Sequence, residues 1–280
     1  MMDIRFNILN EKVSKFIVVE SKFSHSGREK KLNFDINNYK KFKDKIIYLV
    51  IEKEPENILK IDDSGDSLGI QRLNSLKRIE QSYDFMQNGL NEANENDLIL
   101  LSDNDEIPNL DSDKFVKSNK DIFIFRQLFF YYKFNLLYSS MFWHGTKACK
   151  KKKLVSMSWL RNLKNKKYPF WRFDTLFSKN KYTNLEIIEN GGWHFTNLKS
   201  PEDLFEKMKN FGHHNEFDKS GIGIEDIRKK IEKHELFYDH FLDQSDPKKW
   251  NSNYKLKKTE LNILPKYIQE NESNLKDWLA

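Results

Sequence analysis

Residues 98–108 read LILLSDNDEIP, an apolar run followed directly by an acidic turn. Four apolar residues in a row, Leu98 to Leu101, are typical of a buried strand. Asp103 and Asp105 follow it and are separated by one residue. Since residues two apart in extended chain point to the same side, both carboxylates can face one hard cation, Mn²⁺ or Mg²⁺. The alternative interpretation is a solvated acidic turn, but the preceding strand and the EIP sequence after the turn favour a functional site.

The segments around this stretch predict an α/β fold. Apolar runs predict further strands at 16–19, 46–50 and 122–125, and residues 52–69 read as a loop. From Ile70 the apolar residues recur every three or four positions, which predicts an amphipathic helix that ends near Gly89. This order favours an open, mostly parallel sheet flanked by helices. Ligands of such sheets bind beyond the carboxyl ends of the strands, where the acidic turn falls.

The second half of the chain carries a glycine-rich motif and two predicted helices. Residues 191–195 read GGWHF: the glycines allow the backbone to approach a ligand closely, Trp193 offers a flat face to a sugar ring, and His194 can bind a metal or move a proton. The alternative is a glycine turn beside a core tryptophan. Helices are predicted over 201–211 and 224–238. We expect one domain over residues 1–245 and a polar, partly helical tail over 246–280.

Composition limits the class of protein. The 280 residues include 48 Lys and Arg against 42 Asp and Glu, and the formal net charge of +6 with a pI near 9.0 favours phosphorylated or polyanionic ligands. A hydrophobic fraction of 38% supports a buried core and argues against general disorder. The single cysteine, Cys149, excludes an intramolecular disulfide and multi-thiolate metal sites. With no secretory signal and no membrane-spanning run, we expect a cytoplasmic protein that can contact anionic membrane through its lysines.

Taken together, these motifs resemble glycosyltransferase family 17, which includes the bisecting β-1,4-N-acetylglucosaminyltransferase of N-glycan processing. The resemblance covers most of residues 3–240, and its specific part is the SDNDEIP run combined with the later GWH motif. Members usually begin with a strand and a Phe-Asn-Glu type turn before the helix that matches Asp3 to Leu9, so that strand has no counterpart here. The matching stretches are Val18–Ser21, Ser26–Leu32, Gln71-Arg72, Leu100–Pro108, Gly192–Phe195, Ser200-Pro201 and His214–Phe217.

The resemblance implies a GT-A-type fold and an inverting, metal-dependent transfer. The expected donor is a nucleoside-diphosphate sugar, UDP-linked and carrying a hexose or N-acetylhexosamine such as GlcNAc. The expected acceptor is a hydroxyl of a glycan, lipopolysaccharide or glycoprotein. By position, Asp105 becomes the ligand of Mn²⁺ or Mg²⁺, Asp103 its partner toward the ribose or a metal-bound water, and His194 a further ligand.

Further donor-site and catalytic residues follow from the same resemblance and from the charge of the reaction. Glu20 and Ser21, at a strand end, are expected near the nucleotide base, and Trp193 near the donor sugar. Arg72 is expected to offset diphosphate charge, with a surface salt bridge as the alternative. An inverting enzyme also needs one general base for the acceptor hydroxyl. The candidates for that base are Glu106, Asp174 and Glu216, of which Glu106 has the alternative role of capping the acidic turn.

Other classes of function fit parts of the sequence. The basic pI and the mixture of basic and aromatic segments allow a nucleic-acid-binding protein, although no RNA or DNA motif is present and we expect no nucleic-acid partner. A metal-dependent phosphotransferase would use the same carboxylates but lacks a glycine-rich Gly-Lys-Ser/Thr loop. A non-catalytic, sugar-binding relative on a degenerate GT-A-like scaffold is the remaining alternative.

Overall fold

The computed structural model describes residues 1–60, 67–169, 171–175, 177–210, 214–243, 246–250 and 252–280. The described strands are β1 (Phe16–Ser21), β2 (Ile46–Ile51), β3 (Leu98–Leu101), β4 (Glu106–Pro108), β5 (Ile122–Tyr131), β6 (Leu136–Leu137), β7 (Trp143–Lys150), β8 (Glu186–Ile188), β9 (Gly192–Thr196) and β10 (Lys257–Lys258). The described α-helices are α1 (Met2–Leu9), α2 (Ser67–Asp84), α3 (Asp113–Val116), α4 (Met157–Asn162), α5 (Pro201–Asn210), α6 (His214–Ser220), α7 (Ile224–Glu232), α8 (Lys266–Glu270) and α9 (Glu272–Leu275).

The predicted strands and helices are present, and two helix boundaries differ. Residues 67–69, predicted as loop, form the start of α2, and the helix predicted to end at 238 is shorter. All four predicted strands form, and the predicted helix from Ile70 is α2, continued by a 3-10 turn that ends at Gly89. The predicted helix over 224–238 ends at Glu232, because His234 adopts a left-handed φ of 52° that turns the chain. Residue 211, the predicted end of α5, and residues 61–66 of the predicted loop lie outside the described residues.

The expectation of a mostly parallel sheet is wrong. The main sheet is mixed and centres on β5, which pairs antiparallel with β6 and β7 but parallel with β8 and β9. β3 lies antiparallel to β7 at one end of this sheet, and β4 pairs antiparallel with β9. The reason is the chain reversal after β5, where Tyr132 takes a left-handed φ of 63° and the chain returns as β6 and β7.

β1 and β2 form a separate, parallel two-stranded sheet, with Phe16 opposite Ile46 and Ser21 opposite Ile51. The connection between them includes a 3-10 helix over Ile36–Lys45, as a parallel crossover requires. An open cleft of about 2050 Å³ lies between β1 and β3 and reaches the acidic turn. This cleft is therefore bordered by both sheets.

Neighbouring residues of β5 serve different cores because successive side chains of a strand point to opposite faces. Phe129 and Tyr131 join the core formed with α5 and α7, whereas Phe130 packs with Phe6 and Phe195 in a second core. The C-terminal segment completes this second core through Leu264 and Ile268, and β10 pairs with β6. Within the described residues, no helix combines the length and apolar character needed to span a bilayer.

Candidate active site

Glu106 fixes the acidic turn between β3 and β4. Its backbone N–H donates to the Asp103 carbonyl at 3.1 Å, and its Oε2 accepts from the Asp103 backbone N–H at 3.1 Å. Its Oε1 accepts from Trp143 Nε1 at 2.8 Å. The side chain is fully buried, and this burial, with the nearby charge of Asp103, raises the pKa of Glu106 to about 7. Both carboxylate oxygens are thus hydrogen-bonded within the protein.

Asp103 is engaged by two side chains that the sequence did not single out. Its Oδ2 lies 2.9 Å from Nη2 of Arg161, and its Oδ1 accepts from the Tyr83 hydroxyl at 2.9 Å. Arg161 also donates through Nε to the Tyr83 oxygen at 3.1 Å. Arg161 lies on α4 and Tyr83 on α2, so helices from two parts of the chain hold the carboxylate. Behind the turn, Arg5 donates to the backbone carbonyl of Glu106.

Asp105 faces His194 from the neighbouring strand. The β4–β9 pairing puts Glu106 opposite His194, and the Asp105 carbonyl accepts from the Phe195 N–H at 2.8 Å. His194 Nε2 then lies 3.4 Å from Asp105 Oδ2. Burial opposes ionisation of Asp105, but the hydrogen bond and charge of His194, with the charge of Lys207, outweigh it, so the pKa of Asp105 lies below its ordinary value.

The imidazole of His194 is held by aromatic rings. It stacks on Phe129 with ring centroids 4.7 Å apart and an angle of 7°, and Trp143 lies 4.6 Å away. The ring is buried, and its Nδ1 has no hydrogen-bond partner within the described part of the chain. Only Nε2 is directed at another polar group of the site, the Asp105 carboxylate.

The two glycines of the GGWHF motif bring strands together. Gly192 has a φ of 112°, and a Cβ there would lie 2.2 Å from the Ile107 carbonyl oxygen. A Cβ on Gly191 would lie 2.5 Å from the backbone nitrogen of Arg126. The glycines therefore allow β9 to approach β4 and β5, where the sequence predicted an approach to a ligand, and this strand packing sets the position of His194.

The cleft brings together most of the residues predicted for donor binding. Glu20, Ser21, Arg72, Asp103 and Asp105 all border it. Basic residues on the same walls that the sequence did not single out include Arg161, Lys199 and Lys207. The cleft therefore presents carboxylates and cations to a ligand from opposing elements.

Lys207 is the basic residue whose charge acts on Asp105. It lies on α5 and donates to Asn197 Oδ1 at 2.8 Å. Burial lowers the pKa of Lys207, while the carboxylate of Asp105 opposes this shift. An ammonium group in this position can bind an anion next to Asp105.

Glu20 organises the wall of the cleft. Its Oε1 accepts from Lys30 Nζ at 2.6 Å and from the Asn33 N–H at 2.8 Å, and its Oε2 accepts from the Phe34 N–H at 3.0 Å and the Tyr48 hydroxyl at 3.2 Å. Burial opposes ionisation, but these donors outweigh it and lower the pKa of Glu20. Its carboxylate holds the segment after β1 against β2.

Two of the predicted site residues, Trp193 and Asp174, are bonded to other parts of the protein. Trp193 packs against the C-terminal segment, where its Nε1 donates to the Ile263 carbonyl at 2.7 Å. Asp174 lies on an exposed loop, held by Arg172 at 2.6 and 2.7 Å and by Lys181 at 2.9 Å, and these hydrogen bonds lower the pKa of Asp174.

Glu216 is half-buried in the first turn of α6. Burial raises the pKa of Tyr238, and the charge of Glu216 adds to this shift. Tyr238 contacts His240, with ring centroids 5.0 Å apart, and His240 contacts Phe129, the ring on which His194 stacks. Ring contacts thus run from Tyr238 to His194, and the charge of Glu216 acts on the Tyr238 end of them.

The residues around Asp105 fit a divalent cation in part. Asp105 Oδ2 and His194 Nε2, at 3.4 Å, are close enough to be ligands of one ion, and carboxylate with imidazole suits Mn²⁺. Asp103 is instead occupied by Arg161 and Tyr83. No group of three or more His, Cys, Asp or Glu side chains converges as a metal centre in the part of the chain that is described. An ion here would take its remaining ligands from substrate phosphates and water, as Mg²⁺ and Mn²⁺ commonly do.

An acidic turn at the end of a buried strand, facing a cleft with carboxylates and cations on its walls, is typical of an enzyme that binds phosphorylated substrates. Comparison with known protein families identifies the kind of enzyme. The profile of glycosyltransferase family 17 matches residues 1–276, so the chain belongs to this family and is a glycosyltransferase. No curated protein and no solved structure gave a match.

Proposed function

We propose that this glycosyltransferase is an inverting, metal-dependent enzyme of GT-A type. It transfers a hexose or N-acetylhexosamine, such as GlcNAc, from a UDP-sugar to a hydroxyl of a glycan acceptor. The observation that carries the proposal is the pairing of Asp105 with His194 at the edge of a large cleft, 3.4 Å apart, in a member of this family.

Asp105 and His194 hold Mn²⁺ or Mg²⁺ in this proposal. When bound, the ion stabilises the negative charge that develops on the diphosphate as the sugar leaves. The stacking of His194 on Phe129 supports this role because it fixes the direction in which Nε2 points. Asp103 serves the nucleotide side: Arg161 and Tyr83 set the orientation of its carboxylate, which we assign to the ribose or a metal-bound water.

Cationic side chains of the cleft assist departure of the diphosphate. Lys207 is close enough to Asp105 for its charge to lower the pKa of that carboxyl, and Arg72 borders the same cleft. Preorganised cations at the position where charge develops stabilise the transition state without reorganisation. We assign Lys207 to the diphosphate, with Arg72 as a further cation on the wall of the cleft.

We assign the general base to Glu216. The carboxylate of Glu106 is fully buried with both oxygens bonded inside the fold, and that of Asp174 is bonded to two cations. Glu216 is the remaining candidate: it is half-buried in the first turn of α6, and its charge acts on Tyr238. A carboxylate that is not fully buried can accept the proton of an acceptor hydroxyl.

The test compares Asp105→Asn and His194→Gln with a matched control, Asp113→Asn, which alters an exposed carboxylate on α3. We expect the wild type and the control to release UDP from a UDP-sugar in the presence of Mn²⁺, and UDP with Mn²⁺ to raise their thermal midpoint. Both site variants should lose the Mn²⁺-dependent part of each signal while remaining folded.

The outcomes separate the parts of the proposal. Unchanged UDP release in Asp105→Asn would contradict the metal assignment. A thermal shift with UDP and Mn²⁺ but no turnover with any sugar donor would favour the non-catalytic relative. Binding of nucleic acid that weakens steeply with salt and persists in Asp105→Asn would favour the nucleic-acid alternative.

A further inference from the structure

The segment between α4 and β8 carries exposed aromatic side chains close together. We call residues 164–182 the aromatic loop; the structure describes it except for 170 and 176. Trp171 is 63% exposed, Phe173 75% and Phe177 90%. Single apolar residues on a surface are ordinary, but three large, exposed aromatic side chains within seven residues concentrate apolar surface on one loop, which is the kind of feature that marks an interaction site.

The aromatic loop also holds most of the protein's net charge. Its sequence contains six Lys and Arg residues and one acid, a net charge of +5, whereas the whole chain has a net charge of +6. The acid, Asp174, is bonded to Arg172 and Lys181. The four remaining cations, Lys164, Lys166, Lys167 and Lys179, are exposed. The rest of the chain is therefore close to neutral in sum, whereas the loop carries a strong net positive charge that attracts anionic surfaces.

The base of the aromatic loop is fixed to the domain. The Lys164 N–H donates to the Asn180 carbonyl at 2.9 Å, and Trp159 Nε1 of α4 donates to the Lys179 carbonyl at 2.7 Å. Leu163 and Leu185, which flank the loop, are both buried. The exposed aromatic side chains therefore project from a closed, anchored loop and not from a chain end.

We propose that the aromatic loop is a docking surface for a bilayer that contains anionic lipid. Phe173 and Phe177, with Trp171, enter the interface between head groups and acyl chains, and the surrounding lysines contact anionic head groups. Stacking on a nucleic-acid base uses one face of a ring, whereas membrane insertion buries the whole side chain. The 90% exposure of Phe177, which has no polar atom, favours the bilayer. The proposal is independent of the metal and donor assignments.

Vesicle binding by the full chain tests this proposal. The double variant Phe173→Ser with Phe177→Ser is compared with Phe241→Ser, which changes a Phe that is 67% exposed outside the loop. Vesicles of phosphatidylcholine with one third phosphatidylglycerol are compared with vesicles of phosphatidylcholine alone. We expect the wild type to sediment with the anionic vesicles only, the double variant to bind at least about tenfold more weakly, and Phe241→Ser to bind as the wild type does.

Two further measurements identify what the loop contacts. Brominated lipid should quench the fluorescence of the wild type, and Trp171→Phe should remove most of that quenching. Replacing Lys166 and Lys167 by Gln should weaken binding, whereas the same change at the exposed Lys40 and Lys43 should have a smaller effect. Absence of binding to anionic vesicles, or equal binding by the double variant, would overturn the proposal. Loop-dependent binding to single-stranded RNA that is tighter than binding to vesicles would instead make the loop a nucleic-acid surface.

Discussion

Asp103 Oδ2 lies 2.9 Å from Nη2 of Arg161, so the first carboxylate of the acidic turn is part of an ion pair within the protein. The second carboxylate, Asp105, faces His194 instead. Two acids separated by one residue thus have different surroundings: one is bonded to a fixed cation, and the other lies beside an imidazole. This difference supports the proposed division of roles, in which α4 orients Asp103 and Asp105 binds a divalent ion.

Arg161→Lys should weaken donor binding and also destabilise the fold modestly. Lysine keeps the charge but has a single nitrogen in place of Nε and Nη2, the two fixed donor groups that bond Tyr83 and Asp103. Both groups are partly exposed, so we expect a loss of about 1 to 2 kcal/mol in the free energy of unfolding. The KM for the sugar donor should rise more than kcat falls, which steady-state kinetics and urea unfolding measure. An unchanged KM would mean that the orientation of Asp103 is irrelevant to the donor.

The strands around the site could be predicted from sequence because their signal is local. The apolar run at 98–101 and the acids after it are adjacent in the chain, and the strand end sets where the turn lies. Arg161, by contrast, is 58 residues from Asp103, and nothing in its local sequence distinguishes it from other basic residues. Strand direction was also out of reach, since an apolar run specifies burial but not the orientation of its neighbour. The wrong expectation of a mostly parallel sheet has this cause.

The GGWHF motif also shows that local sequence does not identify the distant segments that a motif contacts. Its glycines predict a close approach of the backbone to a ligand, whereas the groups that lie against them are the backbone of Ile107 and Arg126. Because β9 alternates its side chains, Trp193 and His194 face opposite sides of the strand, and only His194 turns toward Asp105. Adjacent residues of one motif therefore contact different parts of the molecule.

The three candidate bases should give different results in paired assays of kcat and thermal midpoint. Glu216→Gln should lower kcat by about 10² or more with an unchanged midpoint, as expected for loss of a general base. Glu106→Gln should lower the midpoint, because Gln cannot accept from both Trp143 and the Asp103 N–H. Asp174→Asn should change neither, since it alters an exposed loop. A large loss of kcat in Asp174→Asn alone would move the assignment of the base to that loop.

Lys147 should make the free energy of unfolding depend on pH in the alkaline range. Its Nζ is buried and donates to the carbonyls of Arg161 and Leu163 at 2.7 and 2.6 Å, at the end of α4. Burial lowers the pKa of Lys147 from 10.5 to about 8. Between these pH values the unfolded chain binds more protons than the folded chain, so folding becomes more favourable as the pH rises.

The variant Lys147→Met provides the control because it cannot titrate. We expect the free energy of unfolding of the wild type, relative to Lys147→Met, to increase between pH 8 and 10.5. The increase should approach about 1.4 kcal/mol per pH unit at most. Urea unfolding of both proteins across this range measures it. A difference that stays constant with pH would show that Lys147 titrates normally in the folded protein.

Trp193→Phe should affect stability and not the KM for the sugar donor. The indole Nε1 donates to the Ile263 carbonyl at 2.7 Å, so the substitution removes one hydrogen bond that joins β9 to the C-terminal segment. A cost of about 1 kcal/mol in the free energy of unfolding is expected. Trp159→Phe is a matched control, because its Nε1 donates to the Lys179 carbonyl at the same distance but on another face of the domain. If Trp193 instead stacked on the donor sugar, Trp193→Phe would raise the KM and Trp159→Phe would not. That result would contradict a purely structural role for Trp193.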